Sequence, residues 1–285
     1  MGRTDNPMVS RIELPVIDLS LFDLGDPWRD QVAAQIDSAS SQFGFFYVVG
    51  HGIDTAVVDP LLEASGRFFA AAEAVRMQLA PDGVPATSAI AMRGQILLPE
   101  VPGFREPVLD YMGSLTGLGH KLMAMIARGL LLEDSYFVDR CTGSPSTAFR
   151  IDDYPPVAVA RAVTETWCGA AHMERGLLTI LKQDGMGGLG FKYQDCWLDV
   201  PDISNSFVCS VGDTLARLTN GRYMSAARRI SNSTKSHRLS MQFRFDPSQG
   251  AVVEPIAAIG PAIPRAPFSD DMPNVLSELG HRHLA

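Results

Sequence analysis

The chain has 285 residues, 46% of them hydrophobic and 20% charged, with a formal net charge of −8, enough for one large domain with a substantial buried core. With no run of lysine or arginine, this balance excludes the usual electrostatic footprint of a nucleic-acid or acidic-membrane partner and leaves a small molecule as the default ligand. No apolar stretch approaches the ~20 residues of a membrane span, and Met1-Gly2-Arg3-Thr4-Asp5-Asn6-Pro7 has neither a signal-peptide core nor the hydroxyl residue of a myristoylation signal, so a cytoplasmic protein is expected.

Leu14 to Leu19 alternates and is β-branched, so it predicts a first strand. An amphipathic helix follows from about Trp28 to Ser41, then a buried strand over Phe43 to Val49 that turns at Gly50-His51-Gly52, where His51 reads as a structural turn residue. A second helix is expected from about Ala56 to Ala74, and then loop as far as Glu106, punctuated by Pro81, Pro85, Pro99 and Pro102. Apolar residues three and four apart predict a long helix over Val108 to Leu130. After Pro145 the pattern shifts to short strands: Thr147 to Ile151, Leu177 to Leu181, Gly190 to Tyr193, Trp197 to Val200, Ser206 to Val211, Thr214 to Leu218 and Arg238 to Phe245. Short strands with regular turns specify a mainly β chain with flanking helices, a sandwich or jelly roll. The tail after Pro255 is expected to be loop closing in a short helix near Asn274 to Leu279. The expected division is an N-terminal α/β lobe over 1–106, the long helix and β core over 107–250, and a C-terminal loop and helix over 251–285. Cys141, Cys168, Cys196 and Cys209 form no CxxC pair, which fits reduced, separately packed thiols rather than a disulfide frame or zinc site.

Two short stretches carry chemistry. His172 and Glu174, two apart on a strand, point to one side and supply two corners of the two-histidine, one-carboxylate arrangement that holds iron(II). Taken alone, a histidine beside a glutamate is more often a surface pair. Arg238-Leu239-Ser240 likewise places two polar side chains on one strand face, and an inward arginine needs an anion. That anion is either a small carboxylate or one of the protein's own acids.

The chain resembles the isopenicillin N synthase-like family of 2-oxoglutarate- and iron(II)-dependent dioxygenases from Leu14 to about Pro247. The matching pieces are Leu14 to Leu19, Phe43 to Ile53, Tyr154-Pro155-Pro156, Gly176 to Gly188, Gly212-Asp213, Asn220-Gly221-Arg222-Tyr223 and Arg238-Leu239-Ser240. The resemblance implies a double-stranded β-helix core, jelly-roll and cupin-like, with an N-terminal α/β lobe, and an oxidoreductase using Fe(II) and 2-oxoglutarate on a small molecule. It would make His172 and Glu174 metal ligands. Arg238 and Ser240 would clamp the far carboxylate of 2-oxoglutarate, with Tyr154 near the other end.

Four departures from the family stand in the sequence. Glu174 takes the place of the usual aspartate, and Arg228 falls on the position of the second histidine. An arginine is always protonated and has no lone pair for a metal, so Arg228 is expected to pair with Glu174 instead. His237, adjacent to an inward Arg238, is expected to face the other way, while His120 lies on the long helix and His281 and His283 in the tail. Asp152 replaces the asparagine usual two residues before Tyr154; a buried acid there needs a cation, for which Arg228 is a candidate. The interval from Leu79 to Val108 is short. Three readings follow: an iron oxygenase with an incomplete ligand set; a metal-free enzyme acting on a carboxylate substrate in an Arg228/Arg238 pocket, with His172 or Glu174 as acid or base; or a non-catalytic family member.

Overall fold

The computed structural model describes residues 12–79, 88–93, 105–154, 171–231 and 236–259. The chain opens with β1 (Val16–Asp18) and, after helix α1 (Asp26–Gln42), returns through β2 (Phe45–Val49), which pairs with β1 in parallel. Helix α1 starts where Asp26-Pro27 supplies an acid in the first turn and a proline whose missing N–H needs no intrahelical partner. Helix α2 (Thr55–Leu79), strand β3 (Ser88–Arg93) and helix α3 (Arg105–Gly129) lead into β4 (Pro145–Tyr154). There follow β5 (His172–Met173), β6 (Leu178–Gln183), β7 (Leu189–Tyr193), β8 (Cys196–Asp199), β9 (Phe207–Val211), helix α4 (Asp213–Leu218), β10 (Ala227–Ile230) and β11 (Arg238–Ser248).

The strands form a seven-stranded major sheet in the order β1-β2-β9-β6-β11-β4-β3 and a four-stranded minor sheet in the order β5-β10-β7-β8. This is the expected jelly roll, and both faces of the major sheet are buried. The outer face packs Phe149, Ile180, Phe207, Met241 and Phe243 against Leu115, Leu122 and Ile126 of α3, with Ile36 of α1 in the same core. On the inner face, Phe45, Tyr47, Leu181 and Val208 meet Phe191 and Ile230 of the minor sheet. The period-2 alternation of β11 divides its side chains between these two cores. Leu239, Met241, Phe243 and Phe245 face the helices, while Arg238, Ser240 and Gln242 face the barrel interior.

Three expectations need correction. Thr214 to Leu218 is not a strand but the helix α4: Gly212 caps it, Asp213 lies in its first turn, and the buried Leu215 and Leu218 have helical spacing. The supposed loop before Glu106 contains β3, which pairs with β4 from Ser88↔Asp153 to Arg93↔Ala148. Its sequence Ser-Ala-Ile-Ala-Met-Arg has little strand propensity of its own, so its pairing comes from the edge that β4 offers. Helix α2 also runs on to Leu79. The tail helix near 274–279, His281, His283, Cys168 and the four prolines of the 80–104 interval lie outside the described residues.

His51 is buried in the turn after β2 and is satisfied on both sides. Its Nδ1 accepts from the Ile53 N–H at 3.1 Å, its Nε2 lies 3.1 Å from the Asn205 carbonyl, and its ring packs on Phe207. Burial pushes its pKa down, in keeping with a neutral ring that fixes the loop.

At Gly119 of helix α3 a Cβ would overlap the ring of the fully buried Phe245 of β11. Gly119→Ala is therefore expected to destabilise the protein by about 1–3 kcal/mol through overpacking, although alanine gains ~1 kcal/mol in helix propensity. Urea denaturation midpoints measure this, and an unchanged or raised midpoint would show that the ring moves aside freely.

Candidate functional site

Strands β5 and β10 pair with Arg228 directly opposite His172 and Ala227 opposite Met173. Opposite residues of an antiparallel pair share a face, so Arg228 and His172 project to the same side. Arg228 is carried inward with Ile230, which packs in the inner core, and is only 2% exposed. His172 sits on the edge strand with its side chain 54% exposed. Glu174 follows β5 directly; its backbone carbonyl accepts the Asp213 N–H at 2.9 Å, and its side chain is buried.

Arg228 Nε donates to Glu174 Oε1, and His172 Nε2 lies 3.6 Å from the same oxygen. The guanidinium also reaches the major sheet, where its Nη2 donates to Gln242 Oε1. Gln242 Nε2 donates in turn to Asp152 Oδ2 at 2.8 Å, and Arg150 Nε donates to Asp152 Oδ1 at 2.6 Å. A continuous polar chain, Glu174–Arg228–Gln242–Asp152–Arg150, thus crosses the barrel interior. The expected cation for Asp152, Arg228, is not its direct partner: Arg150 and Gln242 hold the carboxylate, with Arg228 one residue further along.

These contacts set the charges. Burial alone would raise the Glu174 pKa, but the Arg228 guanidinium, helped by His172, outweighs it and holds the carboxyl down at about 2. For Asp152 burial wins: its pKa is raised despite the opposing pull of Arg150 and, more weakly, of Arg228 and Arg238.

Two residues from Gln242 on the same strand face is Ser240, paired in register with Asp152 on one side and Gln183 on the other. Ser240 is fully buried, and its hydroxyl has no hydrogen-bond partner. Arg238 comes next, also fully buried; its Nε donates to the Gly187 carbonyl, and its guanidinium carbon lies 5.4 Å from the centre of the Tyr154 ring, its neighbour across β4. His237 faces the other way, as expected, with Nδ1 2.9 Å from Asp153 Oδ1. His120 lies on α3, its ring 5.0 Å from that of Phe245. Among the described residues no cluster of three or more histidines, cysteines and carboxylates could hold a metal ion.

The structure therefore brings Glu174 and Arg228 together at one point of the interior, with His172 beside them at the exposed edge, and Arg238, Ser240 and Tyr154 at another. Sequence reasoning missed Gln242 and Arg150, which carry the polar chain from Arg228 to Asp152. The signal was present: Arg238, Ser240, Gln242 and Arg244 alternate with Leu239, Met241, Phe243 and Phe245, so the polar face continues two positions beyond the Arg-x-Ser pair.

Residues 145–247 match the family model of the 2OG-Fe(II) oxygenase superfamily, and residues 14–96 match the model described as non-haem dioxygenase in morphine synthesis N-terminal. The chain is 30% identical over 309 residues to a probable iron/ascorbate oxidoreductase of Dictyostelium discoideum, covering 85% of each protein. It is 29% identical over 293 residues to a homoarginine-6-hydroxylase of Arabidopsis thaliana, covering 85% of this chain and 87% of that one. The structure of a full-length Neurospora crassa protein in complex with alpha-KG and thymine superposes with a TM-score of 0.76 at 19% identity, covering 87% of this chain and 90% of that one. That of JOX2 in complex with 2OG, Fe and JA gives 0.76 at 21%, covering 90% and 83%.

Proposed function

The chain belongs to the 2OG-Fe(II) oxygenase superfamily, a family of dioxygenase-type oxidoreductases, and from that premise we propose that its barrel interior binds a small acid of the 2-oxo acid class on Arg238, Ser240 and Tyr154. The observation that carries this reading is the Ser240 hydroxyl, buried without a partner beside the buried Arg238 guanidinium. A buried donor left unmade is costly, and a carboxylate oxygen between serine and arginine would satisfy it. The Tyr154 ring flanks the same guanidinium, so it would border the carboxylate held by Arg238 rather than, as the resemblance implies, the ligand's other end.

Iron(II) and 2-oxoglutarate are the family's metal and co-substrate, and the two fit this chain unequally. The acid's far carboxylate suits Arg238 and Ser240. The metal does not suit His172, Glu174 and Arg228: a guanidinium has no lone pair to give, it repels a divalent cation, and it already holds the Glu174 carboxylate. Binding a metal there would first require breaking a buried ion pair. The same pair favours a second reading, in which turnover proceeds without iron or has been lost, with His172 and Glu174 left to move protons or to serve structure. Product formation in the presence of chelator separates these two outcomes.

Thermal denaturation with increasing 2-oxoglutarate tests the binding reading. Saturable stabilisation is expected in the natural protein, and Ser240→Ala should weaken the affinity by roughly 10- to 100-fold, the worth of a hydrogen bond to a charged group. Because the Ser240 hydroxyl makes no internal hydrogen bond, the variant should unfold at the same or a higher temperature without ligand. Equal affinity in both proteins would remove Ser240 from the site.

A further inference from the structure

We infer that Arg228 is a built-in cation for the ligand, so that the interior binds a dicarboxylate between Arg238 with Ser240 at one end and Arg228 at the other, without any metal. The inference rests on the proposed clamp at Arg238 and Ser240 and names the ligand class that the clamp alone leaves open.

Arg228 has three guanidinium nitrogens and internal use for two. Nε serves Glu174 and Nη2 serves Gln242, while Nη1 is buried with no hydrogen-bond partner. A buried charged N–H without an acceptor is rare and costly, and its natural complement is an anion. Another buried donor lacking a partner, on the neighbouring face of the major sheet, is the hydroxyl of Ser240. The two donors are related by the strand: Ser240 and Gln242 stand on one face of β11, ~7 Å apart, and Arg228 is tied to Gln242. A short diacid laid along this face would place one carboxylate at Ser240 and Arg238 and the other at Arg228 Nη1.

The two acids of the polar chain are already engaged. Glu174 is already engaged by Arg228 Nε and faced by His172, and Asp152 is held by Arg150 and the Gln242 amide. The fixed positive charge also accounts for the lost ligand geometry. A cation at this point neutralises the inner carboxylate of the ligand, and a guanidinium supplies that charge permanently, whatever the metal supply.

The test is isothermal titration of the natural protein in excess chelator with 2-oxoglutarate and succinate as diacids and pentanoate as monoacid. The diacids are expected to bind at least ~10-fold more tightly than the monoacid, with no change when iron(II) replaces chelator. The doubly neutral variant Arg228→Met/Glu174→Gln should erase the diacid advantage and leave monoacid binding as it was. Diacid binding that appears only with iron(II), or diacid and monoacid binding equally, would overturn the inference. If both acids bind equally and both are weakened by Ser240→Ala, the clamp stands and only the role of Arg228 fails. If neither acid binds, the clamp fails with it. The chelator and diacid–monoacid comparisons use the natural protein, so the test survives a variant that does not fold.

Discussion

Replacing Arg228 with methionine should destabilise the protein by about 3–5 kcal/mol, the usual result of removing one partner from a buried ion pair. The reason is less the lost attraction than the group left behind. Glu174 is 6% exposed, and without the guanidinium its carboxylate keeps only His172, 3.6 Å away. Gln242 would also lose the donor to its side-chain oxygen. Glu174→Gln should cost less, since Arg228 retains Gln242, and the double variant Arg228→Met/Glu174→Gln should regain much of the loss because no uncompensated charge remains. Denaturant midpoints of the four proteins form a double-mutant cycle. A single variant as stable as the natural protein would mean that water or another group compensates Glu174, and that the pair does not close this end of the interior.

The second large effect is a gain. Arg228→His should create or strengthen saturable iron(II) binding, because the new imidazole would stand opposite His172 on β10 and leave Glu174 free to coordinate. Anaerobic titration of metal-stripped protein measures it. At metal concentrations ~100 times the dissociation constant, linkage predicts about 2.7 kcal/mol of stabilisation, a rise of several degrees in the unfolding temperature for a chain of this size. The variant should also show the visible charge-transfer band of an iron–2-oxo acid chelate. Absence of any gain in metal affinity would mean that Arg228 does not stand at the metal position, whatever its contact with Glu174.

Much of this architecture is legible because its strands obey simple rules. The buried run Phe45 to Val48 and the alternation from Arg238 to Phe245 carry strand period and burial in the residues themselves, and the spacing along α3 does the same for the helix. What escapes the sequence depends on partners far away along the chain. Strand β3 exists because β4 has an edge to offer, and α4 reads as a strand because Thr214 to Leu218 is too short for period 2 and period 3.6 to diverge. At the site, the Arg228–Glu174 contact follows from the chemistry of arginine at a ligand position. The Gln242 relay does not, because an uncharged amide announces no partner, and Asp152 consequently finds Arg150 where Arg228 is the candidate.

The polar chain across the interior has a further consequence for how the two sheets find each other. Strand β10 is four residues long and pairs with two residues of β5 and three of β7, so backbone bonds alone specify its alignment weakly. A slip of one residue would turn Arg228 to the outer surface and bring Ala227 or Arg229 inside, breaking the contacts to Glu174 just after β5 and to Gln242 on the major sheet. Only one alignment lets a single guanidinium reach both. Arg228 thus acts as a latch that selects the pairing of the minor sheet and fixes its seat against the major one, whether or not a ligand ever enters.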